Sequence, residues 1–236
     1  MSDLPVAIEE TLTSLQKNLI DRFKDNIICL ILYGSWAKGT ARRDSDIDLL
    51  AIFNKTDKET RKAVDDIVRD IDTERHITIV HTVIEDFQKE KVPLYTAVKN
   101  EGKLIYGDVD LSINPEPPAV KYSEFFKRSC EFESKKVRMA EEILEKYNST
   151  GIADLCFVAA KHAIQAALAM KGEGYSSKVS VLLPLTEKHF GERIAQVFRK
   201  LFALYVKTEY GIEFLTEEEA KAAVGYAKEV LGVYEH

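Results

Sequence analysis

Two aspartates one residue apart, Asp46 and Asp48, follow a glycine-serine pair, Gly34-Ser35, across a loop that carries Lys38, Arg42 and Arg43. A Gly-Ser pair just after an apolar run leaves backbone N–H groups free to point at an anion. Glycine lets the backbone approach closely, and the next few residues open a short helical turn. The natural guest is a phosphate, and the three cations raise the positive potential where a triphosphate would lie. Side chains two apart on a strand share a face, with about 6.6 Å between their Cα atoms, so Asp46 and Asp48 converge while Ile47 and Leu49 turn to the core. Carboxylates held so close need a counter-ion. Oxygen ligands beside a phosphate-binding loop favour Mg²⁺, which takes one or two protein carboxylates and completes its shell with water and substrate phosphate. The chemistry implied is phosphoryl or nucleotidyl transfer.

These residues need strands and helices to hold them. Ile27 to Tyr33 is short, rich in branched side chains and stops at Gly34, which predicts a buried strand. Ahead of it, Leu4 to Asp25 has Leu12, Leu15, Leu19, Ile20 and Phe23 at helical spacing, an amphipathic helix to pack on that strand. The two aspartates open a second strand that ends near Phe53. Asp57 to Asp72 reads as a surface helix, and His76 to Val83 as a third strand. Parity puts Ile77 and Ile79 toward the core and Glu74, His76, Thr78 and Val80 on the face of the aspartates. One or two short helices over Ile84 to Asn100, broken by Pro93, and a last strand over Gly102 to Tyr106 close this first domain.

The string G-S-W-A-K-G-T-A-R-R-D-S-D-I-D-L, Gly34 to Leu49, resembles the signature of the DNA polymerase beta-like nucleotidyltransferase superfamily, especially its minimal and aminoglycoside-modifying members. The resemblance implies ATP or another NTP as donor, Mg²⁺ on Asp46 and Asp48, and transfer of a nucleoside monophosphate to a hydroxyl. Gly34 and Ser35 would then hold the triphosphate and Ser45 support it, with Lys38, Arg42 and Arg43 as further phosphate ligands. The same resemblance implies a third carboxylate from the third strand, where this chain has His76 and Thr78. Three explanations stand beside one another. Glu74 has the right parity if the strand begins early. His76 is itself a base, since imidazole titrates near neutral pH. An acid from the second domain, Glu131 or Glu133, is the third.

Asp108 to Val120 holds Pro115, Pro117 and Pro118 in a stretch without periodicity, the mark of a linker. Everything after it reads as helix: Tyr122 to Tyr147, ending at Asn148 to Gly151, then the alanine-rich Asp154 to Met170 as a central helix, then Val179 to Phe190, Glu192 to Tyr210 and Thr216 to Leu231. The bundle resembles the HEPN domain. The Arg and His of ribonuclease-type HEPN toxins are sought on a late helix, where this chain holds Tyr205 and Tyr210, so the half is expected to serve as a substrate platform or a dimerisation element.

The expected fold class is therefore α+β: a nucleotidyltransferase-like domain over 1–108 with a small mixed sheet flanked by helices, a linker over 109–120, and an all-α bundle over 121–236. A net charge of -6 argues against a general nucleic-acid binder. Cys29, Cys130 and Cys156 are far apart and sit in apolar runs, as buried thiols of a reducing compartment do. No stretch approaches the roughly 20 apolar residues of a membrane span, and the reading is of a cytoplasmic protein. The expected partners are a nucleoside triphosphate, an unidentified hydroxyl acceptor (small molecule, RNA end or protein) and a second copy through the helical half. The rival reading is a degenerate nucleotide-binding or interaction module, antitoxin-like or a sensor.

Overall fold

The computed structural model describes residues 4–147, 151–209, 211 and 214–235, and divides into two compact units, Met1–Pro115 and Glu116–His236. The expected helix stop at 148–151 falls largely outside the described residues, as does Tyr210.

The first unit is built on a four-stranded mixed sheet of order β3-β2-β1-β4, from β1 (Ile27–Tyr33), β2 (Ile47–Phe53), β3 (Ile77–Val83) and β4 (Lys103–Gly107). β1 is antiparallel to β2 and to β4, whereas β2 and β3 are parallel and joined through α3 (Lys58–Arg69). Such a parallel pair needs a crossover, and Asp57 starts the crossover helix by accepting the Thr60 N–H at 2.7 Å. α1 (Val6–Phe23) packs with α3 on one face, where Ile8, Leu12, Leu15 and Leu19 meet Leu30, Leu32, Leu49, Ala51 and Phe53. On the other face Cys29, Ile31, Leu50 and Ile52 meet Phe87 of α4 (Ile84–Gln88) and Tyr95 and Val98 of α5 (Pro93–Glu101). Both faces of β1 and β2 are thus covered, which is why these strands read as continuous apolar runs. The short α2 (Gly34–Lys38) follows β1 directly.

The segment read as linker is structured at both ends. A buried pair does this at the first: Lys99 Nζ lies 3.1 Å from Glu90 Oε1 and donates to the Ser112 carbonyl at 2.8 Å, and the same Glu90 oxygen accepts the Asn114 N–H at 2.6 Å. Val109 and Leu111 pack on the sheet beside them. At the other end Pro118–Lys121 forms a helical turn, α6.

The second unit holds α7 (Ser123–Tyr147), α8 (Ile152–Met170), α9 (Val179–Phe190), α10 (Glu192–Glu209) and α11 (Glu217–Leu231). α8 is its centre: Ala159, Ala160, Ala163 and Ala166 are fully buried, because small side chains let neighbouring helices approach from every side. Phe157 of α8 stacks on Phe198 and Tyr205 of α10 with centroids 5.8 and 4.4 Å apart. In length and apolarity Ile152–Met170 does meet the measure of a membrane span, contrary to the sequence reading, yet 67% of that window is buried inside the unit. Burial of Cys29 and Cys156 pushes both thiols up to about 12, so neither is a reactive thiolate.

Candidate active site

The sheet register assembles the site. Tyr33, the last residue of β1, pairs with Asp48 on β2, so the turn at Gly34 begins beside that carboxylate. Gly34 sits at φ +72, and a Cβ built there would lie 2.5 Å from Asp48 Oδ2. Only glycine fits both the left-handed backbone and the close approach. The N–H groups of the first helical turn have no partner within a helix, so α2 offers donors next to the carboxylate pair.

On the other side, β2 and β3 pair in register, Asp48 with Thr78, and Ile47 donates its N–H to the His76 carbonyl at 2.9 Å. His76 is thereby placed beside the start of β2; Asp48 lies on that strand, whereas Asp46, expected to open it, is exposed just ahead of it. Its Nδ1 lies 3.4 Å from Thr78 Oγ1. Burial and the neighbouring Asp46 hold the half-buried Asp48 carboxyl above the usual carboxylate range, and His76 acts in the opposite sense. The parity read from the sequence holds: Ile77 and Ile79 join the α1 side of the sheet, whereas Val80 packs on the opposite side.

The remaining candidates divide. Ser45 locks the loop, its hydroxyl accepting the Arg42 N–H at 2.8 Å and its own N–H donating to the Arg42 carbonyl at 3.1 Å. Ser35 contributes its carbonyl, which accepts the Thr40 N–H at 3.0 Å. Arg42 and Arg43 are exposed. Lys38 is paired with Glu101 at 2.5 Å on the surface. Glu74 is exposed in the bend two residues ahead of His76. In the second unit Glu131 is exposed, and Glu133 is buried against its own neighbours, with Oε1 3.2 Å from His162 Nδ1 and Oε2 2.8 Å from Lys136 Nζ, a contact outside directed hydrogen-bond geometry.

Two residues that the motif did not reveal join the loop. Trp36 donates from Nε1 to the Ser45 carbonyl at 3.2 Å, and Arg75 lies over the Trp36 ring, 5.2 Å from its centroid. Trp36 stands inside the motif; Arg75 is marked only by preceding His76.

Asp46 and Asp48 are an oxygen-only pair, and burial first, then the neighbouring Asp46 charge, raise the Asp48 carboxyl. That fits Mg²⁺, a hard cation content with two carboxylates and otherwise water or phosphate. Among the described residues no group of three His, Cys, Asp or Glu gathers as a full protein-only cage.

A Gly-Ser turn facing a D-x-D strand on a mixed α+β sheet defines a nucleotidyltransferase-type domain, here followed in sequence by a helical one. Residues 17–111 match the family described as Polymerase beta, Nucleotidyltransferase, and residues 132–236 match the HEPN domain. The first match lies in the N-terminal unit and the second in the helical unit. A Methanocaldococcus jannaschii protein provisionally named a protein adenylyltransferase is 34% identical in a 91-residue alignment that covers 36% of this chain. The match spans 62% of that relative's length. Among solved structures, spectinomycin adenyltransferase AAD(9) from Enterococcus faecialis, with ATP and spectinomycin, superposes with a TM-score of 0.53 over 94% of this chain and 98% of its own, at 14% identity. That likeness is one of fold. A nucleotidyltransferase-like protein from Exiguobacterium sibiricum gives a TM-score of 0.41 at 11% identity, covering 95% and 78% of the two chains.

Proposed function

We propose that this protein transfers a nucleoside monophosphate, AMP from ATP, to a hydroxyl of an acceptor. One observation carries the reading: the Asp48 carboxylate sits so close to Gly34 that no Cβ fits between them, which sets a turn suited to an anion against a carboxylate suited to a metal. In this reading the Gly34-Ser35 turn and the exposed Arg42 and Arg43 hold the triphosphate. The acceptor oxygen attacks the α-phosphorus, a new P–O bond forms, the α–β bridge breaks and pyrophosphate leaves. Asp46 and Asp48 would hold Mg²⁺, which supplies neutralisation of the charge on the reacting phosphate. His76 takes the acceptor proton in place of a carboxylate; with Nδ1 beside Thr78, Nε2 is the nitrogen left for the task. The name of the Methanocaldococcus relative favours a protein hydroxyl as acceptor. The free thiols fit a reducing, cytoplasmic setting, and a homodimer through the helical unit belongs to the same reading.

The test is transfer of label from α-labelled ATP, with Mg²⁺, to protein and small hydroxyl acceptors. Asp46→Asn is expected to abolish transfer while the protein stays folded, and a mutant with full activity refutes the mechanism. The imidazole at the place of the third acid favours a second reading, a nucleotide-binding module without turnover. Metal-dependent binding of a non-hydrolysable ATP analogue without transfer to any acceptor would select it.

A further inference from the structure

We propose that Arg75 is a positioning residue that clamps the loop between the Gly34-Ser35 turn and the paired aspartates, and so sets the affinity for the nucleotide's phosphates. What the loop holds rests on the nucleotidyl-transfer reading; the clamp itself rests on geometry alone.

Arg75 is half-buried in the bend before β3. Its Nη1 donates to the Arg43 carbonyl and lies 3.4 Å from the Ser45 carbonyl. The guanidinium also lies over the Trp36 ring, within the range at which a cation and an indole face attract. Trp36 Nε1 reaches the same Ser45 carbonyl from α2. The peptide just before Asp46 is therefore held from two sides, by the helix that follows β1 and by the approach to β3. The turn at Arg43 and Asp44 is held as well. Every residue from Lys38 to Thr40 and from Arg42 to Asp44 is exposed, so little apolar burial fixes this stretch. Removing Arg75 leaves Trp36, among the described residues, as the remaining side-chain hold on the Ser45 carbonyl. The guanidinium addresses backbone carbonyls, which marks it as a holder of the loop and separates it from the exposed Arg42 and Arg43.

The planar, forked guanidinium both donates to carbonyls and stacks on an indole; an ammonium does the first without the second. Arg75→Ala and Arg75→Lys therefore form the test, in the full chain. Trp36 is the single tryptophan, so acrylamide quenching of tryptophan fluorescence reads the loop with no nucleotide present. The expected result is greater quenching in Arg75→Ala and an intermediate value in Arg75→Lys. The dissociation constant for a non-hydrolysable ATP analogue with Mg²⁺ is expected to rise about tenfold in Arg75→Ala, the share of one charge-assisted hydrogen bond. KM for ATP should follow it, with kcat at saturating ATP nearly unchanged. Wild-type quenching in a folded Arg75→Ala overturns the clamp, whether or not nucleotide binds. A fall in kcat at constant KM also overturns it, because Arg75 would then act on the reacting groups. If Arg75→Ala does not fold, Arg75→Lys carries the comparison, and wild-type quenching and affinity there overturn the proposal. A wild-type chain that binds no ATP analogue refutes the nucleotidyl-transfer reading, while the quenching comparison still decides the clamp.

Discussion

Replacing Gly34 by alanine puts a methyl group where Asp48 now stands. The new Cβ would lie 2.5 Å from Asp48 Oδ2 and 3.3 Å from its carboxyl carbon. Relief to an ordinary contact requires the carboxylate to move by roughly 1 Å, a displacement that costs on the order of 10² in rate at a site built on orientation. The backbone contributes separately, since holding an L-residue at φ +72 costs about 1–2 kcal/mol. For a unit of this size that is a fall of about 3–10 °C in Tm. Gly39 supplies a matched control: it has φ +70, with nothing within 4 Å of its built Cβ. Gly39→Ala should lose the same stability and leave Asp48 untouched. Thermal unfolding and calorimetric titration with a non-hydrolysable ATP analogue, with and without Mg²⁺, separate the two effects. Both mutants are expected to melt earlier; only Gly34→Ala should lose the Mg²⁺-dependent binding and about 99% of transfer. Equal Mg²⁺-dependent binding in the two mutants would refute the idea that Asp48 seats the cation against Gly34.

Two other perturbations follow from charge. Lys99→Met leaves the Glu90 carboxylate buried without its cation, and breaking such a pair from one side costs about 3–5 kcal/mol in urea unfolding; adding Glu90→Gln should recover part of that loss. Asp48 gives a pH signature of definite sign. Its folded carboxyl is raised above the ordinary value of 3.8, so through that window the folded state binds more protons than the unfolded one, and stability falls as pH rises. Asp48→Asn lacks this penalty. Without metal, the mutant should gain on wild type as pH climbs through the carboxylate range, and Mg²⁺ at neutral pH should raise the wild-type Tm but leave the mutant's alone. A stability difference that stays flat with pH would count against an Asp48 carboxyl raised by burial and by the neighbouring Asp46.

Much of the first unit was legible because its strands are buried on both faces and its helices on one. Continuous apolar runs at Ile27 to Tyr33 and Leu49 to Phe53 and a 3.6-residue stripe in α1 are direct images of where the core lies. The face of β3 was legible for the same reason, since period-two alternation fixes which side chains share a side. The sequence left Glu74 and His76 level, and register separates them: Ile47 hydrogen-bonds the His76 carbonyl, while Glu74 stays in the bend outside the ladder. A linker over 109–120 was read from proline density, a local property. What fastens its first residues is a buried ion pair whose members lie outside the stretch, so composition within it carried no sign of them.

The cations of the site show the same limit more sharply. Lys38, Arg42 and Arg43 drew attention because they stand close in sequence to the Gly-Ser turn, yet Lys38 is paired with Glu101. Arg75 drew none, and its acceptors lie 30 and 32 positions away. Those acceptors are main-chain carbonyls, which every residue possesses, so no residue type at either end announces the contact. A side chain bonded to a carboxylate can be guessed from complementary types; one bonded to a carbonyl is found only when the fold brings the chain past it. Sequence motifs therefore mark the groups that meet a ligand, whereas the groups that hold those in place, when they work through the backbone, emerge from topology. In this domain the parallel pairing of β2 with β3 brings Arg75 to the loop, and any change that shifts that register should release Arg75 and move His76 together.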